Sequence, residues 1–77
     1  MPDDDIEMQP ITGSSQIAAV GYRPESQTLR VEFANGAVYE YEGVAQQVFD
    51  GLMAAPSAGS YFHVMVKSAG YGYRRLG

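Results

Sequence analysis

Aromatic and basic side chains lie close together near the C-terminal end of the sequence. The stretch YGYRR places Tyr71 and Tyr73 directly before Arg74 and Arg75. Tyrosine rings can stack on nucleic-acid bases, each stack contributing about 1–3 kcal/mol, while arginine side chains contact phosphates. The candidate nucleic-acid-binding residues are these four together with two basic neighbours: Arg30, Lys67, Tyr71, Tyr73, Arg74 and Arg75.

The same segment also has a purely structural interpretation, which we favour on sequence grounds. In this interpretation the tail folds back over a sheet, its tyrosines pack, and its arginines are solvated or pair with Glu40 and Glu42. These contacts would stabilise the fold without any ligand.

The other chemically capable residues do not form a catalytic pattern. His63 is the single histidine, and no set of further metal ligands accompanies it. Ser57 and Ser60 lack a base partner, and Ser14-Ser15 could hold an anion through backbone N–H groups, although helix capping is the ordinary role of such serines. With no P-loop or dinucleotide motif present, we predict no enzyme, no metal site and no cofactor.

The negative charge of the chain is concentrated at one end. Four of the nine acidic residues lie in the first ten positions, whereas the remaining five are balanced by all five bases. The net charge of −4 therefore describes an acidic N-terminal arm, residues 1–12, which we expect to be disordered, attached to a neutral single domain, residues 13–77. A strongly basic surface, which is typical of a nucleic-acid binder, is missing.

Hydrophobic periodicity predicts an α+β fold for that domain. The stretch TLRVEF alternates apolar and polar residues as a half-buried strand does, and AQQVFDGLMAA carries the apolar spacing of an amphipathic helix. We predict a three-stranded antiparallel meander covered by two short helices and followed by a short extended segment. The strands are expected at about 17–23, 28–34 and 37–42, and the helices at about 45–55 and 58–66.

Asn35-Gly36 predicts a hairpin between the last two strands, and the register of this hairpin decides where Tyr39 and Tyr41 point. A two-residue turn would pair Phe33 with Val38 and put both tyrosines on the polar face. A three-residue loop with a glycine bulge would pair Phe33 with Ala37 and put both in the core. We favour the bulged register, because it groups the neighbouring glutamates with Arg30.

These motifs together resemble the KTSC domain, a family named for its occurrence at the C-terminus of some lysyl-tRNA synthetases and also found as small bacterial and phage proteins. The resemblance rests on the ordered set VGY, LRVEF, NG, YEYEGV, APS, YF and YRRL, and it covers about residues 11–76. Tyr39 and Tyr41 match the family's Y-x-Y motif, which we expect to be structural. The resemblance implies a small α+β domain for which RNA binding has been suggested, and it carries over no catalytic residues.

The expected partners follow from this resemblance and from the charge pattern. They are single-stranded RNA or tRNA, or else a protein partner engaged through the acidic arm. Self-association is a third expectation, since a small sheet leaves an edge strand exposed. No apolar run approaches the roughly 20 residues that span a bilayer, and no signal peptide is recognisable, so we expect a cytoplasmic protein without a membrane partner.

Overall fold

A computed structural model describes residues 6–12 and 14–77, and it contains one five-stranded antiparallel sheet. The strands follow one another in chain order across the sheet: β1 (Gln9–Pro10), β2 (Ile17–Arg23), β3 (Thr28–Phe33), β4 (Val38–Tyr41) and β5 (Tyr73–Arg75). Between β4 and β5 the chain forms helix α1 (Gln46–Ala54) and helix α2 (Ala58–Phe62). The predicted α+β class and the two predicted helices are confirmed.

The sheet is wider than the three strands predicted from the sequence. Residues 9–10 pair with β2 in a stretch that was expected to lack order, and residues 73–75 pair with β4 where only an extended segment was expected. Both extra strands are too short to show a period in sequence, and both lie at a sheet edge, where Pro10 is tolerated. The first five residues of the predicted arm lie outside the described residues.

The second helix also differs from the prediction over its last turn. Its α-helical part ends at Phe62, and a π-helical turn continues it through His63–Lys67. The backbone N–H of Ser68 donates to the carbonyl of His63 at 3.0 Å, which is the five-residue spacing of a π turn. No helix within 6–12 and 14–77 is long and apolar enough to cross a membrane.

The hairpin between β3 and β4 adopts the bulged register. Val31 pairs with Tyr39 and Leu29 with Tyr41, and the backbone N–H of Phe33 donates to the carbonyl of Ala37 at 2.8 Å. Gly36 has φ of 93°, a left-handed conformation that a residue without Cβ adopts at little cost. This register turns both tyrosines toward the helices, as predicted.

The core lies between the helices and one face of the sheet. Apolar residues of the three middle strands pack there against helix residues; the fully buried ones are Ile17, Val20, Leu29, Val31, Val44, Leu52 and Val66. Tyr41 joins this cluster as a buried residue, and Tyr39 is half-buried beside it. The helices therefore cover the face of the sheet that carries Tyr39 and Tyr41.

The N-terminal segment passes over the opposite face of the sheet. Ile6 is buried there against Gly21 of β2, where an added Cβ would lie 2.5 Å from Cγ2 of Ile6 and 2.6 Å from the carbonyl oxygen of Glu7. Only glycine allows so close an approach of the two chain segments. Residues from Ile6 onward thus belong to the folded domain.

Candidate nucleic-acid interface

Strand β5 divides its side chains between the two faces of the sheet. Tyr73 pairs with Tyr41 and Arg75 pairs with Tyr39, so both side chains lie on the helix side. Arg74 pairs with Glu40 and lies on the other side. This follows from the period of two in a strand, because successive side chains point to opposite faces.

On the helix side, aromatic rings form a continuous cluster. The ring centroids of Tyr41 and Tyr73 lie 5.5 Å apart, and those of Tyr39 and Tyr73 lie 5.8 Å apart. Phe33 and Phe62 extend the cluster with edge-to-face contacts at 5.4 Å. Such tilted and edge-to-face arrangements are the favourable ones for aromatic pairs. The rings of Phe33, Tyr39, Tyr41 and Phe62 form an aromatic floor beside Tyr73.

This floor lies at the bottom of a groove of about 940 Å³, which we call the aromatic groove. Its rim carries Lys67 from the end of the π-helical turn, Tyr71 from the following loop, and Tyr73 and Arg75 from β5. Among the described residues that line the groove there is no carboxylate. The aromatic groove therefore combines stacking surfaces with two cations.

The exposed groups at the rim are available to a ligand. Tyr73 exposes 63% of its surface, although one side of its ring contacts the cluster. The guanidinium of Arg75 lies 6.0 Å from the ring centroid of Tyr39, and its Nε donates to the main-chain oxygen of Gly77 at 2.9 Å. Lys67 is exposed and has no ion-pair partner among the described residues.

Tyr41 remains a neutral member of the floor. Burial, together with the neighbouring hydroxyls of Tyr39 and Tyr73, raises the pKa of Tyr41 above its ordinary value of 10.0. The phenol therefore stays protonated at neutral pH, and no negative charge develops beneath the two cations.

An ion-pair network occupies the opposite face at the same level of the sheet. Glu40 is buried, and its Oε2 accepts from Nε of Arg30 at 3.0 Å and from Nη2 of Arg30 at 2.5 Å. Its Oε1 accepts from Nη2 of Arg74 at 3.2 Å. Burial by itself would raise the pKa of Glu40. The two arginines outweigh this effect through their hydrogen bonds and their positive charges, and they hold the pKa of this carboxyl below its ordinary value.

The six predicted binding residues are therefore split between two faces. Four line the aromatic groove: Lys67, Tyr71, Tyr73 and Arg75. Arg30 and Arg74 both pair with Glu40 on the other face. For Arg74, pairing with Glu40 is one of the contacts that the structural interpretation of the tail predicted. Sequence reasoning did not assign Phe33 and Phe62 to the site, although both were recognisable as apolar residues of predicted elements.

A second pocket, of about 400 Å³, adjoins the aromatic groove. Four serines and one amide side chain line it, and we call it the serine pocket: Ser14, Ser15, Gln16, Ser57 and Ser60. Ser57 caps α2 as expected, its Oγ accepting from the backbone N–H of Ser60 at 3.4 Å. The hydroxyl of Ser14 accepts from the backbone N–H groups of Gln16 and Ile17.

The chain forms a small α+β domain with a groove beside its β5 edge strand. The sequence model of the KTSC domain matches residues 13–71, and the chain belongs to this family. The matched range ends at Tyr71, so β5 lies beyond it, whereas the motif resemblance extended to Leu76.

Known proteins that this chain resembles include free-standing domains and synthetase segments. An uncharacterised protein of Stutzerimonas stutzeri is 43% identical over 82% of this chain and 89% of its own length. The crystal structure of a KTSC domain protein from Yersinia pestis superimposes with a TM-score of 0.84 at 32% identity, covering 94% of this chain and 99% of that chain. A lysine–tRNA ligase of a Nostoc species is 47% identical over 69% of this chain, which corresponds to 9% of the ligase.

Proposed function

We propose that this domain binds single-stranded RNA in the aromatic groove and is not an enzyme. The observation that carries the proposal is the convergence of Tyr71, Tyr73, Lys67 and Arg75 on one rim above an aromatic floor, in a groove whose described lining residues include no carboxylate side chain. Aromatic side chains stack on unpaired bases, and nearby cations contact the phosphates between them.

The charge distribution limits how strong this binding can be. The chain carries a net charge of −4, and among the described residues two cations line the groove, Lys67 and Arg75. Neutralising two phosphates of a single strand gives a logarithmic salt slope of about −1.4, which is shallow. Stacking therefore supplies most of the affinity, and we expect a short unpaired segment to be the ligand.

The relatives favour RNA over other ligands that contain aromatic rings. The domain resembles a segment of lysine–tRNA ligases in addition to free-standing proteins. A ligase already holds its tRNA, so an attached domain with a stacking groove would reach an unpaired loop or end of the same molecule. We therefore propose unpaired tRNA regions as the first ligands to examine.

The direct experiment is a fluorescence-anisotropy titration of the full chain with a labelled single-stranded RNA of mixed sequence. We expect saturable binding that weakens moderately as salt rises, and much weaker binding of the same sequence as a perfect duplex, whose bases cannot stack on tyrosine. Absence of binding at low salt would contradict the proposal.

A second candidate, protein recognition through the acidic N-terminal residues, is favoured by one observation. Four acids and no base occur in the first ten positions. Pull-down with the full chain and with a variant in which Asp3, Asp4 and Asp5 are replaced by Asn distinguishes this candidate. A specific partner lost only by the variant would favour it, and an unchanged set of partners would exclude the acids from the mechanism.

A further inference from the structure

We infer that the serine pocket receives ribose hydroxyls and thereby makes the aromatic groove prefer RNA to DNA. This inference rests on the proposed function, because it concerns the sugar of a strand whose bases lie in the groove. It assigns a separate task to a pocket that the stacking proposal leaves unused.

The two cavities adjoin each other. The aromatic groove and the serine pocket share four lining residues: Ser15, Gln16, Gly59 and His63. Gly59 is buried at this junction and the amide of Gln16 lies over it, since a Cβ added at Gly59 would come within 2.9 Å of Oε1 of Gln16. A nucleotide with its base in the groove can therefore place its sugar or that of its neighbour at the serine pocket.

The walls of the serine pocket are polar. Apart from His63, no ionisable side chain lines the serine pocket among the described residues. Hydroxyl and amide groups without a fixed charge suit a neutral polar ligand better than a phosphate. Ribose hydroxyls match this chemistry, since each one is both a donor and an acceptor.

Several polar groups of the serine pocket have unused hydrogen-bonding capacity within the described part of the chain. The side chains of Ser15 and Gln16 are exposed and make no hydrogen bond within the described residues. Ser14 uses its Oγ only as an acceptor, for two backbone N–H groups, so its own proton remains free to donate. Three donors thus lie at or beside the junction. They can distinguish RNA from DNA, because deoxyribose lacks the 2′-hydroxyl.

The test compares oligonucleotides that differ only at the 2′ position. Single-stranded RNA and the corresponding DNA containing deoxyuridine are titrated into the full chain under identical salt. One net hydrogen bond corresponds to about a fivefold difference in Kd. We expect RNA to bind at least about fivefold more tightly than the DNA.

Two variants locate the effect. Gln16→Ala and Ser15→Ala should weaken RNA binding severalfold more than they weaken DNA binding, so that the Kd ratio falls toward one. Ser26→Ala is the matched control, because Ser26 lies in the β2–β3 turn and lines neither cavity. Circular dichroism verifies that all three variants fold.

The outcomes separate this inference from the proposed function. Binding of RNA and DNA with equal Kd would overturn the inference while leaving single-strand binding in place. A loss of the same size for both strands in Gln16→Ala and Ser15→Ala would also overturn it. If neither strand binds at low salt, the proposed function fails and this inference fails with it.

Discussion

Arg74 and Arg75 are adjacent in the chain, but their guanidinium groups lie on opposite faces of the sheet. Arg75 lies beside the ring of Tyr39 at the aromatic groove, while Arg74 donates to the buried carboxylate of Glu40. The two arginines therefore carry the same charge in different surroundings. Arg75 lines the groove, and Arg74 links the edge strand β5 to β4 through Glu40.

Tyr73 should be the main stacking residue, because it is the most exposed aromatic side chain of the ring cluster. Replacing Tyr73 with Ala removes one base-stacking surface, and we expect a loss of about 1–3 kcal/mol in RNA binding. Tyr73→Phe keeps the ring and should retain most of the affinity. Isothermal titration calorimetry measures both; an equally large loss in Tyr73→Phe would show that the hydroxyl, not the ring, makes the contact.

Glu40 should be important for stability at neutral pH. Glu40→Gln removes the negative charge that the two arginines share, so the partly buried Arg30 no longer faces the Glu40 carboxylate. We therefore expect the free energy of unfolding to fall by about 3 kcal/mol. Glu42→Gln is the matched control, because Glu42 is exposed and has no ion pair within the described residues. Urea denaturation checks this, and equal losses in the two variants would contradict it.

The contribution of Glu40 should also depend on pH in a defined direction. Since its pKa is lower in the folded protein than the ordinary 4.5, the unfolded chain takes up this proton first as the pH falls. The stabilisation is complete well above pH 4.5 and is lost progressively below it. The stability difference between the natural chain and Glu40→Gln should therefore narrow as the pH is lowered from neutral. A stability difference that stays constant over this pH range would exclude the Glu40 carboxylate as its source.

Gly36 should be required for the bulged register. Its φ of 93° places any residue with a Cβ in a strained conformation, so Gly36→Ala should destabilise the domain by about 1–2 kcal/mol. Gly72→Ala is the matched control, because a Cβ at that position meets no atom within 4 Å and the backbone is not left-handed. Thermal unfolding compares the two; a smaller loss in Gly36→Ala than in Gly72→Ala would argue against the bulge.

The middle of the sheet could be predicted because its signals are local. Leu29, Val31 and Phe33 alternate with polar residues, and Asn35-Gly36 directly follows, so strand positions and the choice of two registers were both accessible. Charge pairing between Arg30 and the following glutamates favoured the correct register. The observed Arg30–Glu40 pair bears out that reasoning.

Which face of the sheet each candidate residue occupies depends on a strand pairing that the local sequence does not encode. Once the bulged register is chosen, Arg30 falls on the polar face, away from Tyr39 and Tyr41. The side of Arg74 is fixed only by the pairing of β5 with β4, across more than 30 intervening residues. A three-residue strand in a glycine-containing tail has too few positions to reveal that pairing, so sequence analysis grouped Arg74 with the groove residues.

The most direct test of the account compares Arg75→Ala with Arg74→Ala in RNA titrations over a series of salt concentrations. The natural chain should show a logarithmic salt slope of about −1.4, which Arg75→Ala reduces to about −0.7 together with a loss of affinity. Arg74→Ala should leave the slope unchanged, because its guanidinium faces Glu40 on the other side of the sheet. Equal changes in the two variants, or a change confined to Arg74→Ala, would contradict the assignment of RNA binding to the aromatic groove.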